Sequence, residues 1–109
     1  MIQTIQVTIP SGANSVAVTP PTGMNLKAIQ TPASFEGTTI TFDVGFASPG
    51  ARLYNSGTEY VVTSGASRYI VLDKPELFNG PNYLKIINNV AGSPSNVAAD
   101  RLINLFFST

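Results

Sequence analysis

The sequence predicts an all-β protein, a single β-sandwich of about eight antiparallel strands with at most one short helical turn. Its apolar residues occur in short runs that alternate with polar residues, and these runs recur about every 8 to 12 residues. Gly, Pro, Ser, Thr and Asn fill the segments between them. No segment has the apolar spacing of a helix longer than a turn or two. Because the 109-residue chain contains no linker and no internal repeat, residues 1–109 are expected to form one domain.

The first half of the chain contains four predicted strands, each followed by a turn that contains Pro or Gly: 5–9, 15–18, 24–31 and 39–46. In the third strand the apolar parity changes between Ala28 and Ile29. This change predicts a bulge or a strand that is buried on both faces. The fourth strand has the clearest alternation, and its apolar residues are all expected to enter the core: Ile40, Phe42, Val44 and Phe46.

The second half is predicted to contain a hairpin and three further strands, with the hairpin at 52–54 and 58–63 and the strands at 68–72, 83–87 and 101–107. The turn Asn55-Ser56-Gly57 favours the hairpin. Between the strands, 73–78 is predicted to be one helical turn with Asp73 as its cap and Pro75 as its first residue. Residues 88–99 are expected to form a long polar loop.

The composition excludes most enzyme chemistry. The chain has no His and no Cys, so the usual proton carrier and the usual strong nucleophile are absent, and zinc loses its preferred ligands. A carboxylate pair drawn from Asp43, Glu59 and Asp73 leaves a minimal hydrolase as a weak alternative. Asp73, Glu76 and Asn79 lie close enough in sequence for a calcium site, but helix capping explains them more simply. We therefore expect no enzyme, no catalytic residues, no cofactor and no metal.

Charge and hydropathy also exclude two classes of partner. Six Lys and Arg residues balance six Asp and Glu residues, so no long-range field gathers phosphate groups or anionic lipid. Neither nucleic acid nor a membrane is an expected partner. Residues 1–6 lack the pattern of a signal peptide, and no apolar run approaches the ~20 residues of a membrane span. A soluble protein that stays in the compartment where it is made is therefore expected.

Surface polarity comes from about 30 Ser, Thr and Asn residues instead of charges. Such a surface suits contact with other protein, because burying an unpaired charge costs far more than burying a hydroxyl. The segments expected to carry these contacts are 1–4, 47–52, 88–99 and 105–109. Within the chain, the side chains proposed for surface contact are Phe35, Arg52, Tyr54, Asn89 and Phe107.

The other aromatic residues mostly occupy alternating strand positions, which favours the core for Phe42, Phe46, Tyr60, Tyr69, Tyr83 and Phe106. Two arginines stand at the start of apolar strands, Arg68 and Arg101. Arg68 is expected to form an ion pair with Asp43 or Glu59 across the sheet. A ligand-binding role for either arginine is a weaker alternative.

Four segments resemble a family of small tailed-phage virion proteins: ITFDVGF at 40–46, LYNSGTEYVV at 53–62, SRYIVLDKPELFNGPNYLKI at 67–86 and SPSNVAADRLINLFF at 93–107. The turn Ile9-Pro10-Ser11-Gly12-Ala13 is similar to an early turn of the same family. These motifs cover nearly the whole chain and consist of turn and core residues without a catalytic signature. The resemblance implies a component of the virion, such as a capsid decoration (cement) protein, a neck protein or a tail protein.

A looser resemblance, limited to Ile40-Thr41-Phe42 and Arg68-Tyr69-Ile70, is to discoidin-like jelly rolls, and it supports a jelly-roll sandwich more than sugar binding. The leading expectation is a non-enzymatic decoration protein that binds the major capsid protein, stabilises the head and forms a homo-oligomer, with a trimer favoured. The alternatives are a neck or tail structural protein, and a carbohydrate-binding module on the particle exterior that uses Tyr54 and Phe35.

Overall fold

Twelve strand segments and one short 3-10 turn make up the fold, which a computed structural model describes for residues 1–109. The strands are β1 (Ile2–Ile9), β2 (Ser15–Val18), β3 (Asn25–Gln30), β4 (Thr39–Gly45), β5 (Ala51–Arg52), β6 (Tyr54–Asn55), β7 (Thr58–Glu59), β8 (Val62–Thr63), β9 (Tyr69–Val71), β10 (Tyr83–Val90), β11 (Ser93–Pro94) and β12 (Arg101–Ser108). The 3-10 turn is Pro75–Phe78. The predicted all-β class is therefore confirmed.

Two antiparallel sheets form the sandwich. The first, here called the β1 sheet, has the strand order β1-β12-β3-β9. The second, the β10 sheet, has β10 and β4 at its centre, with β2 and β11 beside β10 and with β5 and β8 beside β4. We call the position of one strand, or of two short strands that lie along the same neighbour, a column of the sheet. β2 and β11 form one column beside β10, and β5 and β8 form one column beside β4, so each sheet is four columns wide.

The pairing of the columns is nested in the manner of a jelly roll. The first strand pairs with the last, β1 with β12; inside that pair, β2 pairs with β10 and β3 with β9; innermost, β4 pairs with β5 and β8. This wrapping of an eight-column ribbon into two sheets is the jelly-roll arrangement. The predicted jelly-roll-like sandwich is thus present.

The inner faces of the two sheets form one core of 18 buried hydrophobic residues. An aromatic cluster lies within it, in which the rings of Phe42 and Phe78 are 5.0 Å apart and Tyr60 packs beside both. The Tyr60 hydroxyl donates to Asp73 Oδ1 at 2.8 Å. Burial, reinforced by this hydrogen bond, raises the pKa of Tyr60, so the phenol stays protonated.

Two local predictions are confirmed with small adjustments. The register between β12 and β3 shifts at Phe106 and Phe107, which face Ala28 and Leu26, so Lys27 is the extra residue of a bulge just before the predicted position. The hairpin forms between β6 and β7, and its two turn residues, Ser56 and Gly57, both have positive φ angles (53° and 82°). This geometry belongs to a type I′ turn, for which Gly at the second position is favoured.

The predicted cap of the helical turn is wrong. Pro75 is the first residue of the 3-10 turn, as expected, but the residue before it is Lys74, whose side chain makes no capping hydrogen bond. Asp73 lies one residue too early and accepts the Tyr60 hydroxyl instead.

Four core assignments are also wrong: those of Phe46, Tyr69, Tyr83 and Phe106. Tyr83 and Phe106 are only partly buried and lie outside the core, because they share the outward parity of Lys85 on β10 and of Asn104 on β12. Phe46 is 88% exposed, because β4 ends at Gly45 and the alternation therefore stops before it. Tyr69 is exposed because its parity on β9 places it on the outer face, opposite Gln30, while Ile70 points inward. Residues 88–90 were expected in a loop but belong to β10, which continues to Val90.

Candidate interaction surface

Because successive strands run in opposite directions, the connections between them lie at two opposite ends of the sandwich. One end, here called the terminal end, carries both chain termini and the connections 19–24, 46–50 and 72–82. The other, the far end, carries the connections 10–14, 31–38, 64–68 and 91–100. The predicted contact segments 1–4, 47–52 and 105–109 therefore meet at or near the terminal end, whereas the loop within 88–99 lies at the far end and belongs to a different surface.

Hydrogen bonds tie the loops of the far end together around Glu36 and Arg101. Arg101 donates through Nε to Glu36 Oε1 at 2.8 Å and through Nη2 to Glu36 Oε2 at 3.1 Å. The backbone N–H of Ala98 also donates to Glu36 Oε2, at 3.0 Å. The hydrogen bond from Arg101 is the main reason that the pKa of Glu36 falls from its ordinary 4.5 to about 2. Glu36 thus joins the connections 31–38 and 91–100 of the far end through a charge-paired hydrogen-bond network.

The charged side chains of the terminal-end connections are confined to residues 72–78, where Asp73, Lys74 and Glu76 lie. No side chain of residues 19–24, 46–50 or 79–82 carries a charge. Phe46 projects from this end, and Met1 and Ile2 are also strongly exposed. Beside Phe46 lies a shallow depression of about 260 Å³, lined by Val44, Gly45, Phe46, Asn79, Gly80 and Pro81. An exposed aromatic ring on a neutral, Pro-containing rim is suited to contact with protein.

The loop that presents Phe46 is held close to the sheet. The backbone N–H of Asn82 donates to the carbonyl of Gly45 at 2.9 Å, which joins the two connections on either side of the depression. Gly50 has a φ of 59°, and a Cβ at this position would lie 2.9 Å from the ring of Tyr83. Glycine is therefore required where the loop returns to β5.

Charged side chains cluster on the outer face of the β10 sheet. Arg52 donates through Nε to Asp43 Oδ1 and through Nη1 to Glu59 Oε2, each at 2.7 Å. The hydrogen bond from Arg52 to Asp43, and next the one to Glu59, raise the pKa of Arg52. The predicted pairing of these acids with Arg68 is wrong, because Arg68 precedes β9 at the edge of the other sheet, where its backbone N–H donates to Thr31 Oγ1.

This ion cluster brings together two carboxylates that were considered for hydrolysis. Asp43 and Glu59 share one guanidinium, while Asp73 is bonded to the Tyr60 hydroxyl elsewhere. Each carboxylate accepts a hydrogen bond from this guanidinium, Asp43 from Nε and Glu59 from Nη1. The arrangement is that of a partly exposed structural ion network.

The outer face of the β1 sheet has no charged residue at the positions that lie in register: Ile2, Thr4, Gln6, Thr8, Ala28, Gln30, Tyr69, Val71, Leu102, Asn104, Phe106 and Ser108. A row of amides crosses three strands of it, from Gln6 to Asn104 to Gln30, with two hydrogen bonds of 3.1 Å. The rings of Tyr69 and Phe106 pack beside this row at a centroid distance of 5.2 Å.

Two of the five proposed contact side chains lie at the surface. Tyr54 is 57% exposed on the β6–β7 hairpin, and Arg52 is exposed but engaged with its two carboxylates. Whether either one contacts a partner remains a prediction.

The other three are buried, which corrects their assignment. Phe35 and Phe107 belong to the hydrophobic core, the first through the turn that follows Pro32 and the second because it lies on the inner face of β12. Asn89 is buried because its Nδ2 donates to Thr41 Oγ1 and to the carbonyl of Ile87. None of these three side chains is available to a partner.

Phe46 is the most exposed of the residues that strand periodicity misassigned. The signal that could have found it is the Gly45 that precedes it together with the turn sequence Ala47-Ser48-Pro49-Gly50 that follows it. Both features predict that the chain leaves the sheet at this point.

The structure contains no group of three or more His, Cys, Asp or Glu residues that could hold a metal ion. None of its helical segments has the length and apolarity that crossing a membrane requires. Comparison of the chain with family models, with curated proteins and with solved structures finds no match.

Proposed function

We propose that this chain is a non-enzymatic structural protein of a phage virion, and that it decorates the capsid by binding the major capsid protein. The observation that carries the proposal is the exposed ring of Phe46 among the uncharged segments 19–24, 46–50 and 79–82 of the terminal end. The resemblance of the sequence to tailed-phage virion proteins supports it. The jelly-roll strand order also agrees with it, since this architecture is common in viral capsid domains.

The physical basis of the attachment is adhesion. The uncharged segments around Phe46 lose little hydration energy when another protein covers them, because no charged side chain of theirs has to leave water. Burial of the Phe46 side chain contributes about 1.5 to 3 kcal/mol, and exposed aromatic residues of this kind commonly carry much of an interface's binding energy. A protein that binds the assembled capsid more tightly than its separate subunits stabilises the particle by mass action.

Cosedimentation of the purified chain with capsids of the phage that encodes it tests this proposal. The chain should pellet with the capsids and raise the temperature at which they disassemble. Phe46→Ala should weaken binding about 10- to 100-fold, in line with the loss of one buried aromatic contact. Tyr54→Ala removes an exposed ring on the β6–β7 hairpin, outside the connections of the terminal end; it is the matched control and should bind as the wild type does.

The decoration proposal fails if the chain does not pellet with capsids, or if Tyr54→Ala reduces binding and Phe46→Ala does not. Immunogold labelling of whole particles separates decoration from the neck or tail alternative. Label spread over the head supports decoration, and label confined to the head–tail junction or the tail supports the alternative.

A second candidate function is carbohydrate binding on the particle exterior. It is favoured by one specific observation, the Tyr69–Phe106 ring pair beside the amide row on the outer face of the β1 sheet. Sugar rings stack on aromatic faces and exchange hydrogen bonds with amides. Phe35, which was first considered for this role, is buried and cannot take part. A glycan array with the wild type and Tyr69→Ala tests this candidate, and the absence of any array signal would remove it.

A further inference from the structure

One of the four sheet edges differs from the other three. β9 has three residues, β2 and β11 have four and two, and β5 and β8 have two each with the β6–β7 hairpin between them. β1, in contrast, runs for eight residues from Ile2 to Ile9 with an unbroken register against β12. It contains no charge, no Pro, no Gly and no bulge. Proteins commonly protect exposed edges with such features, and this edge lacks them.

The hydrogen-bonding parity of β1 shows which backbone groups face the open edge. The N–H of Thr109 donates to the carbonyl of Met1 at 3.3 Å, and the register continues from that pair through Ile2 and Ser108. Because antiparallel pairs alternate between bonded and non-bonded, the odd-numbered residues of β1 turn their backbone groups toward β12. The even-numbered residues present theirs to the open edge: Ile2, Thr4, Gln6 and Thr8.

We propose that this edge pairs with the β1 strand of a second copy of the chain, antiparallel about a twofold axis, so that the two β1 sheets join into one continuous sheet. The register that uses all four even-numbered residues places Ile2 opposite the partner subunit's Thr8 and Thr4 opposite the partner subunit's Gln6. It forms about eight backbone hydrogen bonds. Ile5 then lies opposite the partner subunit's Ile5, at the axis.

A second copy fits this edge because the strand is complementary to itself. A twofold axis brings identical strands together, and a strand without charges meets no repulsion in its own image. Ile2 is 77% exposed and Ile5 is half-buried at the rim of the core. Pairing covers both side chains with apolar or hydroxyl-bearing neighbours. The remaining edges offer too few consecutive residues for the same arrangement.

Light scattering coupled to size-exclusion chromatography tests the pairing on the purified chain without capsids, so its result is independent of the decoration proposal. The wild type should have twice the 11.5 kDa chain mass and should dissociate on dilution. Thr4→Pro removes an outward N–H and Gln6→Lys adds a charge at the edge, so both should give monomers. Thr4→Val keeps the N–H and is the matched control, which should remain dimeric.

A wild type that is monomeric at every concentration overturns the proposal. A trimer does so as well, because each β1 edge can pair only once about a twofold axis. A dimer that persists in both Thr4→Pro and Gln6→Lys would also overturn it.

Introduced cysteines test the register, since the chain has none of its own. In the proposed register Ile5 faces its own copy in a non-hydrogen-bonded pair, with Cα atoms about 4.5 Å apart, within the range that a disulfide spans. Ile5→Cys should therefore form a cross-linked dimer on mild oxidation. Val7→Cys, whose opposite residue is the partner subunit's Gln3, should not. The reverse pattern excludes this register.

Discussion

At the residue scale, Glu36 is the group whose ionisation most directly affects the far end. Its hydrogen bonds from Arg101 and Ala98 hold its pKa near 2, below the 4.5 of a free glutamate. The carboxylate therefore contributes its full stabilisation above pH 4.5, and this contribution is lost as the pH falls to about 2. Thermal unfolding of Glu36→Gln should show a lower Tm than the wild type at pH 7 and a difference that shrinks toward pH 2.

The matched control for this pH dependence is Glu76→Gln, which changes an exposed glutamate that has no arginine partner. Its Tm difference from the wild type should stay small across the same range. Parallel curves for the wild type and Glu36→Gln would contradict the assignment of the stabilisation to the ionised Glu36.

Gly37 is the position where an added methyl group should be least tolerated. A Cβ there would overlap the Oδ1 of the fully buried Asn88 and lie 2.7 Å from the ring of Phe35. Gly37→Ala should lower the free energy of unfolding by about 1 to 3 kcal/mol, the usual cost of overpacking. Gly65→Ala is the control, because its Cβ would meet only the movable side chain of Arg68. Equal denaturant midpoints for the two variants would contradict this account.

Single residues were also where sequence reasoning failed most. The ion pair on the β10 sheet was expected from an arginine at the start of a strand, but the structure uses Arg52, which the β4–β5 pairing places directly opposite Asp43. Register between strands decides such contacts, and spacing along the chain does not contain it. The exposure of Phe46 was missed for a related reason, because alternation does not specify where a strand ends.

At the element scale, the direction in which the backbone N–H groups of β1 point can be tested by placing proline at each of its two glutamines. Proline at Gln6 replaces an N–H that points to the open edge, whereas proline at Gln3 removes one that points to β12. In dilute samples, Gln6→Pro should cost less than about 1 kcal/mol and Gln3→Pro up to about 3 kcal/mol of unfolding free energy. Chemical denaturation measures both, and a larger loss for Gln6→Pro would reverse the deduced parity.

Elements with local signals were predictable and those set by tertiary contacts were not. The β6–β7 hairpin followed from Ser56-Gly57, because a type I′ turn has a distinct residue preference. The extension of β10 through Asn88 and Asn89 had no such signal, since Asn is depleted in strands. The side chain of Asn89 is accommodated by a partner distant in sequence, the Thr41 hydroxyl, which accepts from Asn89 Nδ2.

At the scale of the whole molecule, the few charged residues are distributed unevenly over the surface. The sequence predicted a charge-poor, hydroxyl-rich surface and an all-β sandwich, but nothing in it placed the connections on one end or the other. The jelly-roll path brings the uncharged segments 19–24, 46–50 and 79–82 to the same end, while the ion pairs lie on the β10 sheet and at the far end. The proposed attachment depends on this uneven distribution of charge.

A cryo-electron microscopy reconstruction of the virion that is proposed to contain this chain tests the central claim most directly. The account predicts density for the jelly roll on the outer surface of the head, with the terminal end and Phe46 against the major capsid protein. Absence of the chain from the particle, or attachment through the far-end loop 91–100 with Phe46 exposed to solvent, would contradict it.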